Sequence, residues 1–309
     1  MSTPEVVSSV GLCLSGGGAK GAYELGVFEY LAEHPELFPN GFKAATGCSV
    51  GAVNIGGLAQ FKPGPDQIKQ WTAYMVKCWE RLDKTTDVWT KRFPPYLAGL
   101  WNPSIGTNTP IKGLLKELLS EDFKAVAEGT PCEVAAWDLL SGQGQYYSLN
   151  EAKTVDEMVS FIAASSSFPL AFPPEQVGNA YCTDGGIVDI APADRLIKSG
   201  CDRILAVVCR NPKHPEVKKK SDLQTVLAVG ARCLDGMESE VVRGDLDKIR
   251  LWNLLVEAGH PSAQSKKPIK LDVILPDESL GDPLDFSPVL TTQRRKVGYA
   301  AAQKYFTER

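Results

Sequence analysis

From Val10 onward, apolar runs of strand length alternate with amphipathic runs of helix length, and this order leaves few architectures open. Val10–Leu14 reads as a buried strand, Gly21–Glu33 as a helix, Phe42–Gly47 as a strand and Val50–Gln60 as a second helix. Further strands are expected at Cys132–Trp137, Gln145–Leu149, Val177–Thr183, Arg203–Val208 and Leu271–Leu275. Helices are expected at Asp66–Trp79, Ile111–Leu119, Val155–Ala164, Ala193–Ser199, Leu223–Met237, Asp245–Ala258 and Pro288–Tyr305. Strands separated by helices imply an α/β fold, with a mostly parallel central sheet covered by helices on both faces and sites at the carboxyl ends of the strands. No linker interrupts the pattern, so residues 1–309 read as a single domain. Thr85–Pro110 and the Lys-rich Lys213–Lys220 read as insertions or loops within it, the lysines solvated.

Charge narrows the partners. With 33 Lys+Arg against 37 Asp+Glu the chain lacks the basic excess that a nucleic-acid surface needs. Eight cysteines are scattered without a CxxC or a Cys/His cluster, which implies a reducing compartment and no metal site. No basic residue precedes Lys20, and the apolar stretch Val6–Leu14 runs into glycines instead of a cleavage site. No uncharged apolar run approaches the roughly 18 residues of a membrane span. The expected location is cytoplasmic, with room for peripheral contact with a membrane surface.

Three motifs fall at expected strand ends. Gly16-Gly17-Gly18-Ala19-Lys20-Gly21 joins the first strand to the first helix and contains GxGxxG (Gly16, Gly18, Gly21). A dinucleotide-binding turn would need an acid at the tip of the next strand, and that strand ends in Thr46-Gly47-Cys48-Ser49 instead. A glycine turn at a helix start still offers backbone N–H groups and a positive dipole end to any oxyanion. Lys20 reads as a solvated helix-start side chain. Gly47-Cys48-Ser49-Val50-Gly51 is a GxSxG at the next strand-to-helix junction, where small residues permit a sharp turn that lifts the serine above the sheet edge. Cys48, one residue earlier, should point away from the reacting face. Asp184-Gly185-Gly186 follows another strand and can hold a carboxylate where the backbone passes close by. Asp138, Asp189 and Asp194 read as turn or helix-cap residues.

In this order the three motifs resemble the patatin-like phospholipases, lipid acyl hydrolases that use a Ser-Asp dyad. The resemblance covers Val10 to Val208, including Ala164-Ser165-Ser166-Ser167-Phe168-Pro169 and Phe172-Pro173-Pro174; beyond it only Leu284-Asp285-Phe286 and the last helix are suggestive. It implies Ser49 as nucleophile, Asp184 as base and the Gly16, Gly17 and Gly18 backbone as oxyanion hole, with Gly21, Gly47, Gly51, Gly185 and Gly186 as motif glycines. It implies no cofactor, and a lipid or lipid-like ester as substrate. The family often has Thr at Cys48, Arg at Lys20 and Asn in the stretch occupied by Val188-Asp189-Ile190. Two other readings compete with hydrolysis: a catalytically silent lipid-binding or scaffold protein on the same fold, and a nucleotide-binding oxidoreductase. Of His34, His214 and His260, His214 is the serious candidate for a Ser-acid-His triad, though Asn211–Pro215 reads as an exposed turn.

Overall fold

Strand β1 (Val10–Leu14) is buried along its whole length because the sheet grows from it in both directions. The computed structural model describes residues 9–93, 101–120, 123–213, 218–263 and 267–308. β1 is followed by α1 (Gly21–Glu33), β2 (Ala44–Cys48), α2 (Val50–Leu58), α3 (Gln67–Glu80) and α4 (Thr109–Ser120). Then come β3 (Cys132–Asp138), β4 (Gln143–Ser148), α5 (Val155–Ser166), β5 (Glu175–Val177), β6 (Ala180–Asp184), α6 (Asp194–Lys198) and β7 (Arg203–Val207). α7 (Val226–Glu257), β8 (Lys270–Ile274) and α8 (Pro288–Thr307) complete the main elements. The strand order is β8-β7-β1-β2-β3-β6-β5, with β4 also on β3. Five strands, β8, β7, β1, β2 and β3, run parallel. The order reverses at β1, where open α/β sheets leave a crevice beyond the strand ends.

Period-two alternation puts Leu12, Leu14, Leu205 and Val207 into one apolar layer and Cys13, Ile204, Ala206 and Val208 into the other. The first layer is covered by α1, α2, α3, α4 and α8, the second by α6 and the carboxyl half of α7. Helices therefore cover both faces, as the alternating pattern requires. α1 and α8 cross so closely that a Cβ on Gly26 would lie 1.9 Å from Arg295 O, and one on Gly298 would lie 1.9 Å from Tyr23 O.

Two expectations fail. The stretch Val177–Thr183 is not one strand but the antiparallel hairpin β5–β6, turned at Gly178 with φ 57°. The two helices expected at Leu223–Met237 and Asp245–Ala258 are one, α7, of 32 residues. Gly236 and Gly244 interrupt it in sequence, yet both face open space, and Arg232–Asp235, Arg243–Glu240 and Lys248–Asp245 bridge successive turns. From Val226 to Val241 no described residue of α7 is buried, whereas Val242, Asp245, Leu246 and Ile249 are.

The Thr85–Pro110 insertion divides its aromatics. Trp89 is buried, meets Phe172 edge-on at 6.1 Å and donates from Nε1 to Leu284 O at 3.2 Å. Phe93 and Trp101 are 93% and 75% exposed, beside a small ribbon pairing Thr90–Lys91 with Gly106–Thr107. Residues 94–100 lie outside the described residues. All eight cysteines are free thiols, only Cys233 of them exposed. Among the described residues no helix is long and apolar enough to cross a membrane, and no cluster of His, Cys, Asp and Glu is placed to hold a metal ion.

Candidate active site

Ser49 and Asp184 meet because two strands share one edge of β3. β4 occupies the other edge from Glu133 to Asp138, so β2 pairs with the first half of the free edge and β6 with the second. Cys48 pairs with Ala135 and Asp184 with Ala136, which sets the carboxyl ends of β2 and β6 head to head. The parallel sheet expected from sequence would have reached this point from one side only.

Ser49 caps α2 at φ 54°, ψ −122°, a backbone region that β-carbons disfavour. Its N–H is held by both the carbonyl and the hydroxyl of buried Ser165, each at 3.1 Å. Two residues on, Ser167 O accepts Asp184 N–H at 3.0 Å and the Thr183 hydroxyl at 2.6 Å, so the serine-rich end of α5 anchors both elements. The strain persists because the turn is wedged between close neighbours. A Cβ on Gly51 would lie 2.4 Å from Leu14 O, one on Gly21 2.2 Å from Val50 Cγ2, one on Gly47 2.6 Å from Gly51 and one on Gly185 2.4 Å from Ala135 O.

Asp184 is 3% exposed. Its Oδ1 accepts Gly186 N–H at 2.9 Å and the Cys48 thiol at 3.5 Å, while among the described residues Oδ2 is buried without a fixed hydrogen-bond partner beside the Ser49 hydroxyl. Burial pushes the carboxyl up to about 6, against the opposing effects of the neighbouring Ser49 hydroxyl, the Gly186 amide and the Cys48 thiol. Cys48 stays a thiol, pushed well above its ordinary range by burial and by the facing Asp184.

The glycine loop lies beside them. Gly16 N–H is committed to Ile190 O at 3.1 Å, so of the three amides expected to hold an oxyanion this one is already engaged. Among the described residues the Gly17 and Gly18 amides have no acceptor. Gly18 takes φ 56°, and a Cβ there would lie 2.3 Å from Pro283 O. Pro283 is held in turn: its carbonyl accepts Ala19 N–H at 2.7 Å, and the segment around it is gripped by Arg294 of α8. That guanidinium, 2% exposed, donates to the carbonyls of Leu280, Asp282, Asp285 and Ala19. Arg294, Ile190, Ser165 and Ser167 are site residues that sequence reasoning missed, since their contribution is tertiary; only the Ser-rich run had a visible signal.

A cavity of about 530 Å³ opens onto Ser49, Asp184 and Gly16–Gly18. One wall, from α2, α3, α4 and the Leu284–Phe286 turn, is apolar, with Val53, Met75, Trp79, Leu115, Leu119 and Phe286. The other carries Lys20, Arg210, Arg232, Asp235 and Glu238. Lys20 is buried, not solvated, because the end of β7 and α7 close over it; burial, then Arg210, lowers its pKa. Arg210 pairs with Asp235 at 2.9 Å and with Glu238, whose carboxyl burial pushes up to about 7. Lys218, Asp222 and Leu223 also line this wall, so part of the expected solvated loop faces the cavity.

The other expected side chains stand apart. Asp138 is a turn residue, accepting from Leu140, Ser141 and Tyr181 amides. Asp194 starts α6. Asp189 is a turn residue, its N–H on Gly185 O, and is 2% exposed. His34 follows α1 and contacts Glu36; His260 follows α7 and contacts Ser262. Both helices end at the amino edge of the parallel strands, opposite Ser49. His214 lies outside the described residues.

No curated protein sequence matches the chain significantly. VipD from Legionella pneumophila is similar in structure at a TM-score of 0.45 and 14% identity, over 98% of this chain and 67% of that one. ExoU from Pseudomonas aeruginosa, solved with SpcU, is similar at a TM-score of 0.31 and 18% identity over 78% of this chain, and the match spans only 52% of the ExoU chain. The model of the patatin-like phospholipase family matches residues 12–197, more than half of the sequence and all three motifs, and the chain belongs to that family.

Proposed function

We propose that the protein hydrolyses a carboxylic ester of a lipid through an acyl-serine intermediate, with Ser49 as nucleophile and Asp184 as base. One observation carries the reading: a serine strained at a strand-to-helix elbow with its hydroxyl beside the buried carboxylate of Asp184. As Ser49 Oγ attacks the carbonyl carbon, its proton passes to Asp184, and the oxyanion is held by the Gly17 and Gly18 amides. Collapse expels the alcohol, which takes the proton back from Asp184 and leaves the acyl group on Oγ. Water then attacks, gives its proton to Asp184, and Ser49 is restored as the acid departs. Family membership and the apolar wall support a lipid acyl chain as the group held during these steps.

A fluorophosphonate probe tests this directly. It should add to the protein once, at Ser49, by peptide mass spectrometry; a folded protein that stays unlabelled would leave the silent lipid-binding reading instead.

Access to lipid is proposed to run past the Phe93 and Trp101 side chains, which are exposed beside the ribbon whose flanking residues Val88 and Asn108 line the cavity. Phe93→Ala with Trp101→Ala is expected to reduce sedimentation with phospholipid vesicles at least about threefold, leaving turnover of a soluble ester within about twofold. Trp89→Ala, which removes a packed side chain, should lower both. Equal losses in the double variant would assign Phe93 and Trp101 to the fold instead.

A further inference from the structure

The turn between Asp184 and α6 ties three parts of the site together. Gly186 N–H holds Asp184 Oδ1, Ile190 O holds Gly16 N–H, and Ala191 N–H donates to Asp245 Oδ2 of α7 at 3.0 Å. Within the turn, Val188 N–H and Asp189 N–H both donate to Gly185 O at 2.9 Å. The Ile190 side chain fills the space where Gly16 and Gly186 would carry a Cβ. Any movement of residues 185–191 therefore reaches both the carboxylate and the glycine loop.

Asp189 sits inside this turn with an unbalanced set of neighbours. Its Oδ2 accepts the Tyr146 hydroxyl of β4 at 2.6 Å. Oδ1 is buried, receives no N–H or O–H donor among the described residues, faces Asp245 and lies 3.7 Å from Lys248 Nζ of α7. Asp245, also 2% exposed, takes the same lysine at 2.8 Å. Two buried carboxylates thus share one half-exposed cation. Asp194 of α6 adds a further negative charge, and the Cys13 and Cys48 thiols of β1 and β2 face the pair as neutral groups. Arg195 of α6 lies over the Tyr146 ring at 4.2 Å but is spent on Glu133 of β3. Burial pushes Asp189 up, and facing Asp245 pushes it further; burial raises Asp245 too.

Resting on the functional reading above, we propose that Asp189 is a positioning residue that works in its protonated form, donating from Oδ1 to Asp245 and so holding the 185–191 turn closed against Gly16 and Gly186. A proton on Oδ1 supplies the donor that this atom lacks and leaves the Tyr146 bond on Oδ2 intact. Without it, two anions in a desolvated pocket oppose each other across one lysine, and the turn relieves them by opening. Ile190 O then leaves Gly16, and the oxyanion loop loosens. The sign of the stability effect follows. Because the folded state raises this carboxyl above its unfolded value of about 4, the stability it carries is present below about pH 4 and is lost as pH rises through the folded-state value.

The test compares wild type, Asp189→Asn, Asp245→Asn and Asp189→Ala from about pH 5 to about pH 9, reading kcat/KM on a soluble ester and the hydrogen-exchange protection factor of the Gly16 amide. In wild type both should fall at least about fivefold on the alkaline side. Asp189→Asn and Asp245→Asn should each remove that fall, and Asp189→Ala should be low in both readouts at every pH. An alkaline fall in protection that persists in the two asparagine variants overturns the proposal, as does an alanine variant that behaves like asparagine. The exchange readout needs no chemistry. If wild type neither turns over ester nor labels at Ser49 while Gly16 protection responds as described, the functional reading fails and this inference stands.

Discussion

Ser49→Ala abolishes ester hydrolysis and probe labelling in the expected outcome, leaving no more than a few per cent of activity in a protein that unfolds as wild type does. The change removes one hydroxyl beside Asp184, and the two bonds from the Ser49 N–H to Ser165 survive it. Ser49→Gly separates chemistry from strain. A glycine at φ 54°, ψ −122° releases about 1 to 3 kcal/mol of backbone strain, against up to about 1 kcal/mol of added freedom in the unfolded chain. The inactive glycine variant should therefore melt up to about 3 °C above wild type, and not below it, in a thermal scan. Activity above a few per cent in folded Ser49→Ala would remove Ser49 from the chemistry; a glycine variant that melts lower would mean the elbow is not strained.

Asp184→Asn should cost at least about 10²-fold in kcat/KM, since an amide cannot take the hydroxyl proton. The wild-type pH profile carries the same signature. A base held up to about 6 must lose its proton to act, so kcat/KM should fall about tenfold per unit below about pH 6. Stability runs the other way: a carboxyl raised in the folded state stabilises below about pH 4 and loses that contribution as pH rises through about 6. The active protonation state is thus the less stable one, which parallel melting and rate profiles can detect. His34→Ala and His260→Ala, at the far edge of the sheet, should keep at least about half of wild-type kcat/KM. The same is expected of His214→Ala, and if that variant proved as damaging as Ser49→Ala while folded, a triad would replace the dyad.

What could be read from the sequence is what local chemistry determines. Val10–Leu14 and Gly21–Glu33 fall where their periodicity puts them, because an all-apolar strand and a three-turn amphipathic helix have few alternatives. The elbow was visible because Gly47 is demanded by contact with Gly51 four residues on, within the GxSxG itself; that Gly51 is demanded by Leu14 of β1 was not. The direction of β6 was not visible: it depends on β4 having taken one edge of β3, a choice made by residues some 40 positions away. Gly16 looked like an amide donor to substrate because nothing local reveals that Ile190 O would claim it. The same holds for Lys20, whose burial is decided by α7, and for Asp189, whose surroundings come from β4, α6 and α7. Where two helices were expected α7 runs through as one, and the open space around Gly236 and Gly244 puts no packing demand on either glycine.

The grip of Arg294 on the glycine loop sets an order in time. The loop leaves the ribosome long before its brace, which lies 275 residues beyond Ala19. Until α8 is made and docked on α1, Pro283 has no reason to sit over Gly18, and the Gly17 and Gly18 amides have no fixed direction. A nascent chain can thus hold a finished serine elbow, with β2, α2 and the Ser165 anchor already made, and still be unable to steady an oxyanion. Competence for the proposed chemistry arrives with α8, so a chain that has not yet made this helix would be harmless to a membrane beside it.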